Sequence, residues 1–167
     1  MLKKEVVKAL NKQVAMERGA SRTYLTLAIW AESESYDGAA AFWYAQSAEE
    51  NDHMMKIIKF LVEAGEKPVV GDTDEPNPDV KNFKEMFEFG LAAEKKVTKS
   101  INGIAEMAME KKDFISFNFL QWFVTEQLEE ENTMQTILDK LNLLEKHGGS
   151  IYMFDKELGG MVARQAH

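Results

Sequence analysis

The stretch EKPVVGDTDEPNPDVK, residues 66 to 81, decides how this chain folds. It holds all three prolines of the 167 residues and shows no helical or strand period. Proline lacks a backbone donor and crowds the preceding turn, so no helix continues through this stretch. Everything outside it is free of proline and open to helix. The stretch is also long. A helix of about 27 residues measures roughly 40 Å at ~1.5 Å per residue, while about sixteen extended residues reach up to roughly 55 Å at ~3.4 Å each. A loop of this reach can return along the whole length of a helix, and a compact domain seldom carries one without a reason.

Working outward, Leu10, Val14, Glu17, Ser21, Tyr24, Ala28 and Ala31 recur at alternating spacings of three and four, one face of a helix. That pattern stops near YDG at 36 to 38, a turn signal. A second face follows with Trp43, Gln46, Glu50, His53, Ile57, Phe60 and Ala64, and Gly65 fits its end. Beyond the loop, Asn82 and Glu85 resemble a capping box. Phe87, Leu91, Glu94, Thr98 and Ile101 make the third face. Asp113 can cap the fourth, which carries Leu120, Phe123, Gln127, Glu130, Met134, Ile137 and Leu141 and ends at HGG, 147 to 149.

The links near 37 and 112 are short, so each joins antiparallel neighbours, whereas the long link leaves helices 2 and 3 parallel. The expected fold is all-α: a four-helix bundle with a long crossover between helices 2 and 3 and a short C-terminal fifth helix. One domain over 1–167 is expected, with helices at about 4–35, 38–65, 82–111, 113–146 and 150–159.

Apolar residues make up 45% of the chain and charged residues 29%, a composition that suits a globular domain with a full core. There is no cysteine, which excludes disulfides, thiolate zinc sites and iron–sulfur clusters. The first residues lack the apolar run of a signal peptide, and no segment approaches the ~20 apolar residues of a membrane span. A cytoplasmic protein is the expectation. Lys plus Arg is 20 against 28 for Asp plus Glu, a net charge of −8. This balance disfavours non-specific nucleic-acid binding and favours cationic ligands.

Each of the four faces is interrupted near its middle by acids: Glu17, then Glu50 with His53, then Glu94, then Gln127 with Glu130. Burying one unpaired carboxylate costs several kcal/mol, roughly, and facing carboxylates raise one another's pKa. A cation must compensate, or the acids must be protonated. Lys12, Lys56, Lys59, Lys95, Lys96 and Lys140 all fall off the stripes. A lone Glu on an apolar stripe is more often a boundary residue, and a single Glu-x-x-His arises often by chance. Four interruptions at matching depth are a different observation, and a bound metal answers it best. Glu50 and His53, at i and i+3, share one face. Four carboxylates with one imidazole suit iron or manganese better than structural zinc.

Glu17 with Tyr24, DGAAAF at 37 to 42, EENDH at 49 to 53, Glu94, FNFLQW at 117 to 122 and TEQLEEE at 125 to 131 stand in an ordered set. By that set the chain resembles a bacterial non-haem ferritin over almost its whole length. Di-metal carboxylate proteins of ferritin-like fold carry one Glu from each of two helices and a Glu-x-x-His from each of the other two. Here the second Glu-x-x-His is replaced by Gln127-x-x-Glu130, which separates the chain from bacterioferritins. Bacterioferritins also place a haem-ligating Met directly after the bridging Glu, where this chain has Asn51, so no haem is expected. A rubrerythrin would need cysteines, and a DNA-protecting miniferritin would need earlier histidines than His53.

The resemblance implies an iron store with ferroxidase activity, in which Fe(II) is oxidised by O2 or H2O2 and deposited as mineral inside a hollow homo-24-mer. It places Glu17, Glu50 and His53 on one iron and Glu50, Glu94 and Glu130 on a second, with Glu50 bridging and Gln127 orienting ligands. It puts a third, weaker site at Glu49, Glu126, Glu129 and Glu130, and Tyr24 and Trp122 near the centre as electron donors. Ordinary aromatic core remains an equal reading of those two. His147 and His167 read as solvated. A di-metal oxidase or peroxide scavenger that stores nothing, and a structural bundle with protonated acids, stay open beside this reading.

Overall fold

The structure is a computed structural model and describes residues 2–165. Among these residues there are five helices and no strand: α1 Lys4–Ser33, α2 Asp37–Glu63, α3 Phe83–Glu110, α4 Phe114–His147 and α5 Ile151–Gln165. α1 packs on α2 and α3, α3 on α4, and α5 on α2. The fold is the expected all-α bundle of four long helices with a fifth at its C-terminal end.

Local chemistry starts and stops these helices. Asn82 accepts the N–H of Glu85 at 3.0 Å, and the Glu85 carboxylate accepts the backbone N–H of Lys81 at 2.8 Å. This is a capping box whose return bond is shifted back by one residue. One oxygen of Asp113 accepts the N–H of Ser116 at 3.1 Å, while the other accepts the N–H of Lys3 at 2.8 Å. The cap of α4 therefore also ties down the start of α1. Gly148 closes α4 at a φ of 73°, a left-handed conformation that glycine adopts without cost.

The crossover lies along α1. The N–H of Val69 donates to Asn11 at 2.7 Å, Arg18 to the Gly71 carbonyl at 3.0 Å, and Arg22 to the Thr73 hydroxyl at 2.6 Å. The chain thus climbs α1 from its start toward its end, back to where α2 began. There Phe83, the first residue of α3, meets Tyr36 edge-on with ring centroids 5.0 Å apart. That return makes α2 and α3 parallel.

Three sequence expectations are revised. The sequence places the start of helix 2 at about residue 38, with YDG as a turn signal; α2 starts one residue earlier, so that Asp37 and Gly38 open its first turn. Their helix start is capped from far away: Asp155 accepts the N–H of Gly38 at 3.0 Å and of Ala39 at 2.7 Å. Gly38 is there for close approach, since a Cβ on it would lie 1.8 Å from the Asp155 carbonyl oxygen. For the same reason α5 does not stop near 159 but runs on to Gln165. Gly159 is a packing glycine, and a Cβ on it would come within 3.2 Å of the Gly38 Cα. Finally, Phe60 and Leu91 are only half-buried, and Leu61 and Gly90 take the core positions instead. Phe60 stacks on Phe119 at 3.9 Å on the flank of α2 and α4. Gly90 makes room for Trp43, whose ring would be 2.5 Å from a Cβ there.

The core is divided in two. One apolar cluster contains Tyr24, Trp43, Phe87 and Met134, and a second contains Val14, Ile57, Val97 and Phe123. Each of the four bundle helices passes from one cluster to the other. The interrupting residues of every helix lie in the gap between them.

The α2–α5 junction is testable. Asp155→Ala removes the cap and is expected to cost about 0.5–2 kcal/mol locally. Amide exchange should speed up across residues 151–165 while α3 keeps its protection.

Candidate metal centre

Between the two clusters, α1 supplies Glu17, α2 supplies Glu50 and His53, α3 supplies Glu94, and α4 supplies Gln127 and Glu130; all six are buried. Glu17, Glu50 and His53 each present a ligand atom within 4.8 Å of the others. His53 Nδ1 lies 3.6 Å from Glu50, and its ring is held edge-on by Trp122 and Phe123, with centroids 5.4 and 5.9 Å away. Glu94 accepts a hydrogen bond from the Tyr24 phenol on one oxygen and from the Gln127 amide at 3.0 Å on the other. Glu17 accepts one from the Gln13 amide at 2.8 Å.

Several ligand atoms are left without any donor or acceptor: one oxygen of Glu17, both oxygens of Glu50, and His53 Nδ1. Buried polar atoms in native proteins are nearly always paired, so a group of unpaired ones asks for a partner. The four lie together.

A second group stands at the margin. Glu49, His53 and Glu126 also bring ligand atoms within 4.8 Å of one another. Glu49 and Glu126 border a cavity of about 430 Å³ that Gln46, Glu129 and Glu130 also line. The geometry thus offers His53 to both groups. Glu129 faces the cavity but is exposed and belongs to neither tight group.

The ferritin-like domain family matches residues 7–144 of this chain. The chain belongs to the ferritin family. It is 40% identical over 156 residues to a bacterial non-heme ferritin of Campylobacter jejuni, covering 93% of each chain. It is 39% identical over 164 residues to a probable bacterial non-heme ferritin-like protein of Haemophilus influenzae, covering 98% of this chain and 99% of that one. Among solved structures it superimposes on an open-pore ferritin of Archaeoglobus fulgidus with a TM-score of 0.91 at 34% identity, over 95% of this chain and 98% of that one.

In this ferritin chain the layer is strongly biased toward neutral carboxyls. Burial lifts the pKa of Glu17 and of Glu50 well above the usual carboxylate range, and the Glu50 charge beside Glu17 and the Glu94 charge beside Glu50 add to it. Burial also raises Glu94, against the hydrogen bonds from Tyr24 and Gln127. Burial, with Glu49 next, pushes Glu130 up to about 9. Glu49 is raised as well, again chiefly by burial. Burial and the Glu94 charge push the Tyr24 phenol up, so it stays a proton donor to that carboxylate. A divalent cation in the layer would reverse this balance, because it binds the ionised form and releases protons.

Of the two aromatic residues singled out from sequence, Tyr24 is fully buried in the layer. Trp122 is 39% exposed, with its ring against His53 and the Lys56 ammonium 4.0 Å over its face. His147 is exposed, and His167 lies outside the described residues. Sequence reasoning missed Gln13, Thr98 as a bonding group, Ser100 and Glu131. Gln13 had a signal, since it lies four residues before Glu17 on an otherwise apolar face. The hydroxyl residues had none, because their partners come from other helices.

The raised carboxyl pKa values fix a pH dependence. The folded metal-free protein holds protons that the unfolded chain, with carboxyls near ~4.3, has released. Folding therefore takes up protons from about pH 4.5 up to about pH 9, and stability falls as pH rises through that window. The melting temperature of metal-free protein should drop from about pH 5 to about pH 9. Glu130→Gln, which is neutral at every pH, should flatten part of that slope.

Proposed function

We infer that this protein is an iron store with ferroxidase activity, the reading that membership of the ferritin family supports. The observation that carries it is the buried layer of four carboxylates and one imidazole, with unpaired ligand atoms converging and no Lys or Arg salt bridge among the described residues reaching it. Fe(II) is the substrate. Glu17, Glu50 and His53 hold one Fe(II), and Glu50, Glu94 and Glu130 hold the other. Glu50 is suited to the bridging role because both its oxygens are free of hydrogen bonds. Glu94 is braced on both oxygens and serves as a fixed terminal ligand.

Carboxylate oxygens favour the harder, more highly charged Fe(III) over Fe(II), which lowers the potential and assists oxidation by O2 or H2O2. Gln127 orients Glu94, and the Tyr24 phenol holds a proton at the same carboxylate. The group at Glu49, Glu126, Glu129 and Glu130, bordering the cavity, receives iron on its way to the mineral. The chain assembles with copies of itself into a hollow homo-24-mer, for which α5 offers exposed Tyr152 and Met153 as apolar contact surface. We place the protein in the cytoplasm; no described helix is long and apolar enough to cross a membrane. The centre works without haem, since Asn51 stands where a haem-ligating Met would be.

Titration of anaerobic metal-free protein with Fe(II), followed by O2, tests the centre. Fast oxidation should saturate near two irons per chain, the stoichiometry of a di-metal site. Glu50→Ala and His53→Ala should each slow it by roughly 10-fold or more. Wild-type rates in both variants would remove the site assignment.

Storage has its own test. Electron microscopy of protein loaded with excess iron should show dense cores within closed shells. Oxidation without cores would favour a di-metal oxidase or peroxide scavenger. Absence of both oxidation and metal-dependent melting would favour a structural bundle with protonated acids.

A further inference from the structure

Gln13 is 1% exposed and sits on the apolar stripe of α1 beside Leu10 and Val14. A buried amide must satisfy both its ends. Its nitrogen donates to Glu17 Oε1 at 2.8 Å. Its oxygen accepts the hydroxyl of Ser100, from α3, at 2.5 Å. The order of the chain is fixed by charge. A carboxylate that binds a cation is ionised and can only accept, so the amide must turn its NH2 toward Glu17 and its oxygen toward Ser100. Ser100 can supply the one donor this arrangement needs. One oxygen of Glu17 is thereby engaged, while the other, buried and unpartnered, is left for the group it shares with Glu50 and His53.

On the opposite side of the layer Gln127 donates to Glu94 and lies 3.3 Å from the Thr98 hydroxyl, and Thr98 donates to Glu131 at 2.5 Å. Both amides thus stand between a ligand carboxylate and a hydroxyl of α3. They differ in result. Glu94 has both oxygens engaged, Glu17 only one.

We propose that Gln13, oriented by Ser100, is a positioning residue that makes Glu17 a one-oxygen ligand and sets the affinity of the Glu17–Glu50–His53 position. The proposal rests on the reading of Glu17 as a metal ligand given above. Gln13 touches neither the cation nor the oxidant; it acts through Glu17. Without it Glu17 can turn and offer both oxygens, which changes the coordination number of the cation held there. Outer hydrogen bonds of this kind typically change metal affinity by about 10–100-fold when removed.

The test uses the assembled metal-free protein under anaerobic conditions with Co(II) as probe, because the visible absorption of Co(II) weakens as its coordination number rises. Gln13→Leu keeps the apolar face and removes the donor. It should weaken the first Co(II) equivalent by roughly 10-fold or more and lower its visible absorption. Ser100→Ala should move both readouts in the same direction by less, and Ser100→Thr, which keeps the hydroxyl, should restore them. If Gln13→Leu does not fold, the Ser100→Ala and Ser100→Thr pair carries the test alone. Wild-type affinity and spectrum in Gln13→Leu and Ser100→Ala, with only a lower melting temperature, would reduce the brace to packing and overturn the proposal. Glu17→Ala separates the two failures. If it loses the first Co(II) while the brace variants do not, only the brace is wrong; if it too binds like wild type, the ligand reading falls and the proposal falls with it.

Discussion

Everything in this structure is arranged around a layer of carboxylates shut between two apolar clusters. Glu17, Glu50, Glu94 and Glu130 are buried, and ionised groups there are strongly disfavoured without a compensating charge. The apolar clusters above and below hold the helices in place despite that cost. Two separated cores clamp each helix at two heights, so the segment between them has little freedom. The acids cannot relieve their repulsion by moving apart. They can only be protonated or bind a cation.

The topology serves this constraint. Each of the four helices must bring its polar residues to one height, which requires that the register between helices be fixed over their whole length. Asp113 fixes one end by capping α4 and bonding Lys3 at the start of α1. The crossover fixes the sides, with Asn11, Arg18 and Arg22 of α1 binding the backbone of residues 69 to 73 and the Thr73 hydroxyl. Asp155 fixes the other end by capping α2 from α5. These three ties are polar, long-range in the chain and geometrically strict, and they bracket the layer.

Within the layer the carboxylates differ in what they have left to offer. Glu94 is held on both oxygens, Glu17 on one and Glu50 on none. That gradient leaves carboxylates of identical side-chain chemistry with different numbers of unengaged oxygens. His53 is held by edge-on aromatic contacts, its Nδ1 has no hydrogen-bond partner, and its ring stands between the central group and the one at Glu49 and Glu126. The raised carboxyl pKa values and the free ligand atoms have one cause, burial without a counter-charge.

Much of this was legible in the sequence. Period 3.6 put Glu17, Glu50, His53, Glu94, Gln127 and Glu130 on buried stripes, and the proline-rich loop implied the parallel pair, because both are consequences of chain geometry. The DG at 37 and 38 moved the expected start of α2 by only one residue, whereas the glycines at 159 and 160 misled, since Gly159 packs against α2 and α5 runs on to Gln165. By itself the sequence determined the buried stripe of each helix to within a residue at Phe60 and Leu91, and that some faces carry unpaired acids, because helical spacing alone sets those. Only the tertiary structure decided that the acids share one layer, which of their oxygens are engaged by Gln13, Tyr24 and Gln127, and that Asp155 caps α2. Each of those depends on contacts between residues far apart in the chain, and no local pattern encodes the distance between them.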